Sequence, residues 1–301
     1  MTDNVPAVTV AESIRAFAII VTLDPDIEMV RAAIACLLRQ CAGIVVLNNS
    51  RSRLLSELDP KFPPLYVMEL GENCGIAAAQ NMGIRIAQSS GATHVLLADQ
   101  DTIFPDDYVR RMVLGLGSDR GTICAVPQYR DRISGRLSHF FPVSGGWVDP
   151  LSGFSEMSHA IASGMVIRCN SLAGDLLMNE GLFVYWVDTE WCWRVRQAGF
   201  RIIGIPDVEV IHQLGDSAMS IGPLTVTLRT PQSHYYIVRN GIHLALRHPR
   251  LGASHRLMLL AKLVGHVLAY PTLARPRISN LRAVSLGLIH GISGRLGRFD
   301  L

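Results

Sequence analysis

The sequence predicts an α/β protein, with a mostly parallel, nucleotide-binding sheet flanked by helices and a basic helical extension behind it. Three observations carry that prediction. Short apolar runs alternate with stretches of helical spacing through the first hundred residues, the pattern of βαβ units. One run, Val95-Leu96-Leu97-Ala98, flows directly into Asp99-Gln100-Asp101, and open α/β sheets bind their ligands at the carboxyl ends of strands. Charge is also divided unevenly: residues 228–301 hold eleven Lys or Arg and one acid, Asp300, against 17 basic and 24 acidic residues in 1–227. We therefore expect a catalytic or binding domain over 1–227 and a helical, membrane-associating segment over 228–301.

Taken in order, Ala16 to Thr22 reads as the first strand, and Asp24-Pro25 as a helix start with Pro in the first turn. Ile27, Val30, Ile34, Leu37 and Leu38 keep helical spacing, and Ile44 to Leu47 form a second strand that ends in Asn48-Asn49-Ser50. This β-α-β order makes the strands parallel and puts Thr22 and Asn48 at one sheet edge. Leu65 to Leu70 is a third strand. A loop through Asn73 and Gly75 leads into a helix over 76–88, whose N-terminus favours an anion. His94 to Ala98 is the fourth strand. Asp99 and Asp101, two apart on an extended chain, would face one way and suit a hard divalent cation; a plain strand-to-helix turn is the alternative, because Pro105-Asp106-Asp107 follows.

Farther on, 122–126 reads as a strand, 128–160 as a long irregular segment, and 161–168 as a strand interrupted by Ser163-Gly164. Residues 171–178 read as a short helix. Asp188 reads as the N-cap of a helix ending at Gly199. Two strands follow, over 200–205 and 208–211, with His212 just beyond. The remainder reads as helices, among them 257–270, which Pro271 ends, and a weakly amphipathic stretch over 281–296. The 257–270 run is short and charged for a membrane span. Interfacial helices with arginines at lipid headgroups fit its composition, and ordinary surface helices are the alternative. Aromatic platforms for nucleic acid are sparse in this segment.

A protein that is 49% hydrophobic and 18% charged can bury a large core. Its six cysteines are scattered, without a Cys-x-x-Cys pair, and residues 1–10 lack a signal-peptide pattern. Both points favour a reducing cytosol. No Gly-x-Gly-x-x-Gly or Gly-Lys-Ser/Thr loop supports a dinucleotide or P-loop reading.

Several motifs stand in one order: Asn48-Asn49-Ser50, Asn73-Cys74-Gly75 with Gln80-Asn81, Asp99-Gln100-Asp101, Ser163-Gly164, Asp188-Thr189-Glu190-Trp191-Cys192-x-Arg194 and His212. The set resembles the inverting family 2 glycosyltransferases of the GT-A fold, and within them the bacterial rhamnosyltransferases. Arg239-Asn240 and the ending Gly291-x-x-Gly294-Arg295-x-Gly297 resemble that group's tail. The resemblance implies a nucleotide-sugar donor, dTDP-rhamnose or a UDP-sugar. It also implies a glycan or lipid-linked acceptor; peripheral contact with the inner membrane face is expected from the basic, apolar composition of the tail alone. By the same resemblance Thr22, Asn48, Asn73, Asp99 and Gln100 line the donor site. Asp101 and His212 serve Mg²⁺ or Mn²⁺, Asp188 is the general base, and Ser163, Gly164, Trp186, Glu190 and Trp191 face the acceptor. Glu190 is the competing base. Two positions depart from the family pattern: Leu47 and Tyr185 stand where relatives often carry Asp. A non-catalytic protein of the same fold is the competing reading.

Overall fold

In the computed structural model, strand β1 (Ala16–Thr22) lies between β2 (Gly43–Asn48) and β4 (His94–Asp99), all parallel, and β3 (Leu65–Glu69) extends the sheet beyond β2. The structure describes residues 14–52, 64–117, 119–132, 135–138, 140–212, 217–221, 224–273 and 275–301, by backbone alone at 212, 217–221, 224–228 and 273. The remaining strands are β5 (Thr122–Asp131), β6 (Ser155–Glu156), β7 (Val166–Arg168) and β8 (Arg201–His212), giving the order β3-β2-β1-β4-β7-β5-β8-β6. Only β7 and β6 run against the rest. A separate hairpin pairs β9 (Ser217–Ile221) with β10 (Leu224–Leu228); nothing in the sequence reading anticipated it.

Alternation along the strands builds two cores, as a period of two requires. Phe17, Ile19, Leu47 and Leu97 face one layer, with α2 (Ile76–Ser89), α4 (Val187–Gln197) and α5 (Pro231–Arg247) on it. Ala18, Ile20, Val46 and Leu96 face the other, against α1 (Ile27–Leu38) and α3 (Tyr108–Leu116). Leu47 is therefore a core side chain beneath α2, where Gly83 lets the helix approach Ile19 and Leu47. The last helices, α6 (Ala253–Leu273) and α7 (Arg277–Ser293), pack on α5, and Leu259, Leu263 and Val284 join the first core.

Several boundaries differ from expectation. Helix α1 is capped by Asp26, whose carboxylate accepts from the Glu28 and Met29 backbone N–H groups; Asp24 instead takes φ 46° in the preceding turn. The strand expected over 161–168 shortens to β7, because Gly164 leaves the strand to donate its N–H to the Leu97 carbonyl. The segments 200–205 and 208–211 are one strand with a bulge opposite Pro127 and Gln128. The helix expected over 171–178 is two 3₁₀ turns, Cys169–Ser171 and Gly174–Leu176. Helix α6 runs through Pro271, and the Thr272 hydroxyl bonds the Leu268 and Ala269 carbonyls at 2.8 and 2.9 Å.

Candidate active site

Strand order reverses at β1 and β4, and the ligand crevice of such a sheet lies outside the carboxyl ends of the strands at that point. A cleft of about 510 Å³ opens there, with Thr22 and Leu23 from the end of β1, Asn49 from the end of β2, and Asp99 and Gln100 from the end of β4. Its walls are braced from within. Asn49 donates to the Asn73 side chain at 3.1 Å and accepts from the Cys74 N–H at 2.8 Å. The Leu23 N–H donates to the Gln100 side chain at 2.9 Å. Gly75, at φ 90°, starts α2, and a Cβ there would lie 2.6 Å from the Phe183 ring, so only glycine allows the close approach.

Of the expected donor residues, Thr22, Asn73, Asp99 and Gln100 line this cleft. Asn48 is buried beside it and donates to the Ser52 carbonyl at 2.6 Å and to Glu69 at 2.5 Å; its neighbour Asn49 takes the cleft position. Asp99 and Asp101 do not share one face, because the strand ends at Asp99 and a turn begins at Gln100. Asp101 lines an adjoining hollow of about 210 Å³, and Gln100 lines both spaces. His212 closes β8 in register with Asp131, and its side chain lies outside what the structure describes.

Asp188 lies in the first turn of α4 but does not cap it. The cap position is Trp186, in a left-handed conformation. The Asp188 carboxylate accepts from the Thr189 N–H at 2.7 Å and the Ala162 N–H at 3.3 Å. Burial raises its pKa above the ordinary aspartate value, those two backbone bonds oppose the rise, and the charge of Asp99 adds to it. The favourable field of a helix start is thus outweighed by desolvation. The same two carboxylates also push up the pKa of Tyr129, after burial. Asp99 and Asp188 therefore lie within electrostatic reach of one another.

Asp99 and Asp101 are hard oxygen donors that open on two adjoining spaces, the first on the cleft and the second on the smaller hollow. Mg²⁺ and Mn²⁺ take oxygen ligands, and Mg²⁺ commonly uses one or two carboxylates with substrate phosphates and water. Among the described residues no three His, Cys, Asp or Glu side chains gather as a metal-binding group.

Residues 18–173 match Glycosyl transferase family 2. The chain belongs to that family. It is 28% identical over 294 residues to the dTDP-rhamnosyl transferase RfbF of Shigella flexneri, covering 93% of this chain and 96% of that protein. Among solved structures it is similar to Staphylococcus aureus TarS 1-349 in complex with UDP-GlcNAc, with a TM-score of 0.60 and 12% identity over 95% of this chain and 94% of that one. The match to GalNAc-T7 with UDP, GalNAc and Mn²⁺ has a TM-score of 0.54 and 14% identity over 84% of this chain and 55% of that one. Against a longer TarS structure the chain spans 44% of that protein's length. These likenesses establish the GT-A fold.

The other expected residues of this family 2 glycosyltransferase lie in the segments before β7 and at the start of α4. Ser163 bonds Thr102 at 2.6 Å, tying the segment before β7 to the turn after Asp101. Gly164 has φ 84°; its carbonyl accepts from the Tyr108 hydroxyl, and a Cβ would lie 2.8 Å from that oxygen. Trp191 is fully buried and donates to the Leu176 carbonyl at 2.8 Å, so it supports the wall from behind instead of facing a ligand. Trp186 donates to the Ile237 carbonyl at 3.0 Å. Glu190 points away into a two-point ion pair with Arg194, 2.8 Å at each oxygen, and this leaves Asp188 as the carboxylate near Asp99.

Sequence reasoning missed the part of the cleft supplied from afar. Phe183 to Tyr185 form one wall; Gln232, Ser233 and Tyr236 of α5 form another; Arg298 and Asp300 complete it. The signal available was Arg239-Asn240. The Asn240 amide donates to the carbonyls of Leu182, Val184 and Tyr185 at 2.9, 2.7 and 3.0 Å, and Arg239, fully buried, donates to Leu182 at 2.8 Å. Those bonds hold Phe183, Tyr185 and Trp186 at positive φ just before Asp188.

Proposed function

We propose that the chain is a metal-dependent, inverting transferase that moves L-rhamnose from dTDP-rhamnose to a hydroxyl of a lipid-linked or polysaccharide acceptor in cell-surface glycan synthesis. The observation that carries the chemistry is Asp188, a half-buried carboxylate with a raised pKa within electrostatic reach of Asp99 at the edge of the donor cleft. The choice of donor rests on the likeness to the Shigella flexneri protein along nearly the whole chain. Binding of a nucleotide sugar is supported further by the UDP and UDP-GlcNAc complexes of TarS.

Asp188 accepts the proton of the acceptor hydroxyl as that oxygen bonds to the anomeric carbon, while the bond to the diphosphate oxygen breaks and the diphosphate leaves with its electron pair. One displacement inverts the carbon, so one carboxylate suffices. Asp101, with Asp99 beside it, would hold Mg²⁺ or Mn²⁺, which supplies the positive charge that a leaving diphosphate needs. Asn49 bonds Asn73, and Gln100 accepts from the Leu23 N–H; these bonds fix the donor side of the cleft.

Work at the cytoplasmic face of a membrane fits the tail. Among the described residues no helix is long and apolar enough to cross a membrane. Helix α6 instead exposes Leu257, Val264 and Leu268, at 70, 58 and 65%, along one stripe, and α7 exposes Ile278, Leu281, Ile289 and Ile292 along another. Both stripes lie opposite the faces packed on α5, beside exposed Lys262, Arg275, Arg277 and Arg282.

The test is turnover of dTDP-rhamnose against UDP-hexoses and UDP-galactofuranose, with Mn²⁺ and with a chelator. Metal-dependent release of dTDP supports the reading, and chelation should abolish it. Turnover of a UDP-sugar alone would keep the enzyme class and change the donor. No turnover and no thermal shift with any nucleotide would favour a non-catalytic binding protein.

A further inference from the structure

The last eight residues of the chain, 294–301, form a pinned turn along one wall of the donor cleft. Phe299 stacks on Tyr235 at 4.8 Å between ring centres, meets His290 edge-on at 4.8 Å and lies under the Arg295 guanidinium at 5.2 Å. Its backbone N–H donates to the Tyr236 hydroxyl at 2.9 Å, and its carbonyl accepts from the same hydroxyl at 3.1 Å. The Gly297 N–H donates to the Gly181 carbonyl at 2.8 Å, and the Gly297 carbonyl accepts from Arg239. Together these contacts hold Arg298 and Asp300 on the cleft, where Arg298 donates to the Asn73 carbonyl at 3.3 Å, two residues before the Gly75 cap of α2.

We infer that Arg298 binds the diphosphate of the nucleotide donor, an inference that rests on the donor reading given above. Two arguments support it. Among the described residues the cleft's other charged lining side chains, Asp99 and Asp300, are both acidic, so a dianionic ligand there gains from a fixed cation on the wall. The partners that now hold Arg298 are also easily exchanged. Glu72 at 3.1 Å and Asp300 at 3.4 Å have side chains 66 and 78% exposed, and ion pairs of that kind contribute little. A guanidinium meets phosphate oxygens in a two-point geometry that is stronger and more selective than such pairs. Arg298 can thus exchange Glu72 and Asp300 for phosphate while Phe299 keeps the turn in place. The N-terminus of α2, with Gly75 and Ile76 in the same cleft, adds partial positive charge on that side.

Binding of dTDP, UDP, thymidine and uridine to the full chain with Mn²⁺, measured by calorimetry, tests the inference on wild type, Arg298→Ala, Arg298→Lys and Glu72→Ala. Replacing Arg298 with Ala should weaken the matching nucleoside diphosphate at least about tenfold, the scale of one charge-assisted bond, and leave the nucleoside within about twofold. Lysine should recover part of the loss, because it keeps charge without the fork. Removing Glu72 should leave diphosphate binding equal or tighter. An unchanged diphosphate affinity in Arg298→Ala overturns the inference. So does an equal loss of nucleoside and diphosphate, which would mean that the turn merely shapes the base pocket; an unliganded melting temperature matching wild type separates that outcome from misfolding. If wild type binds no nucleotide, the donor reading fails first, and this inference with it.

Discussion

Asp188 sets catalysis against stability. Its pKa is raised in the folded protein, chiefly by burial, so the folded state holds that proton more tightly than the unfolded chain does. The energetic cost of the buried charge is absent below the unfolded value of about 3.9 and is fully present once pH exceeds the folded value. Asp188→Asn should therefore raise the melting temperature at neutral pH, and the difference from wild type should vanish on acidification below the unfolded value. The same substitution should lower transfer by about 10²–10⁴, the usual worth of a general base. In the wild type, kcat should fall as pH drops through the raised pKa, so that the acid limb lies above the ordinary aspartate range. A variant that is both less stable and fully active would remove Asp188 as the base.

At the scale of elements, the segment Phe183–Trp186 shows what a local reading can and cannot reach. Three side-chain-bearing residues at positive φ are costly for L-amino acids, about 1 kcal/mol each. They persist because Asn240, more than fifty residues away, takes up the carbonyls of Leu182, Val184 and Tyr185. Asn240→Ala removes the donor to the Val184 and Tyr185 carbonyls, while Leu182 keeps its bond from Arg239, and should destabilise the protein by about 2–3 kcal/mol, read in a denaturant melt. Transfer should fall as well, since α4 starts from this segment. Strands β1, β2 and β4 and helices α1, α2 and α5 were legible because their signals are local: apolar runs, 3.6-residue spacing, caps and prolines. Asp99 and Gln100 were legible as the polar end of a buried strand. The position of Asp188 past its cap was not, because the left-handed Trp186 is imposed from α5. The cleft walls from Tyr236 and Arg298 were hidden for the same reason, since no spacing in the sequence joins residue 73 to residue 298. Asn49 replaces Asn48 at the cleft because β2 ends one residue beyond Leu47, which turns Asn48 toward Glu69.

At the scale of the whole molecule, the charge imbalance of the sequence acquires a surface. The stretch over α6 and α7 contains Lys262, Arg275, Arg277 and Arg282 and no acidic residue, and two apolar stripes rise between them. Large apolar faces left uncovered on soluble proteins mark binding surfaces. Basic residues near an anionic bilayer contribute about 1 kcal/mol each, screened over a Debye length of about 10 Å at 0.1 M salt. Co-sedimentation should therefore show binding to vesicles containing anionic lipid at low salt, weaker binding to neutral vesicles, and release as salt rises. Leu257→Ser with Leu268→Ser and Ile278→Ser should weaken binding to both vesicle types, because it removes the buried apolar contribution. Charge reversal at Arg277 and Arg282 should remove only the preference for anionic lipid. Neither change touches the donor cleft, so the melting shift with dTDP and Mn²⁺ should match wild type. If the apolar stripes instead pair two copies of the chain, light scattering will report a salt-resistant dimer that the serine variant dissolves, and vesicles will capture neither protein.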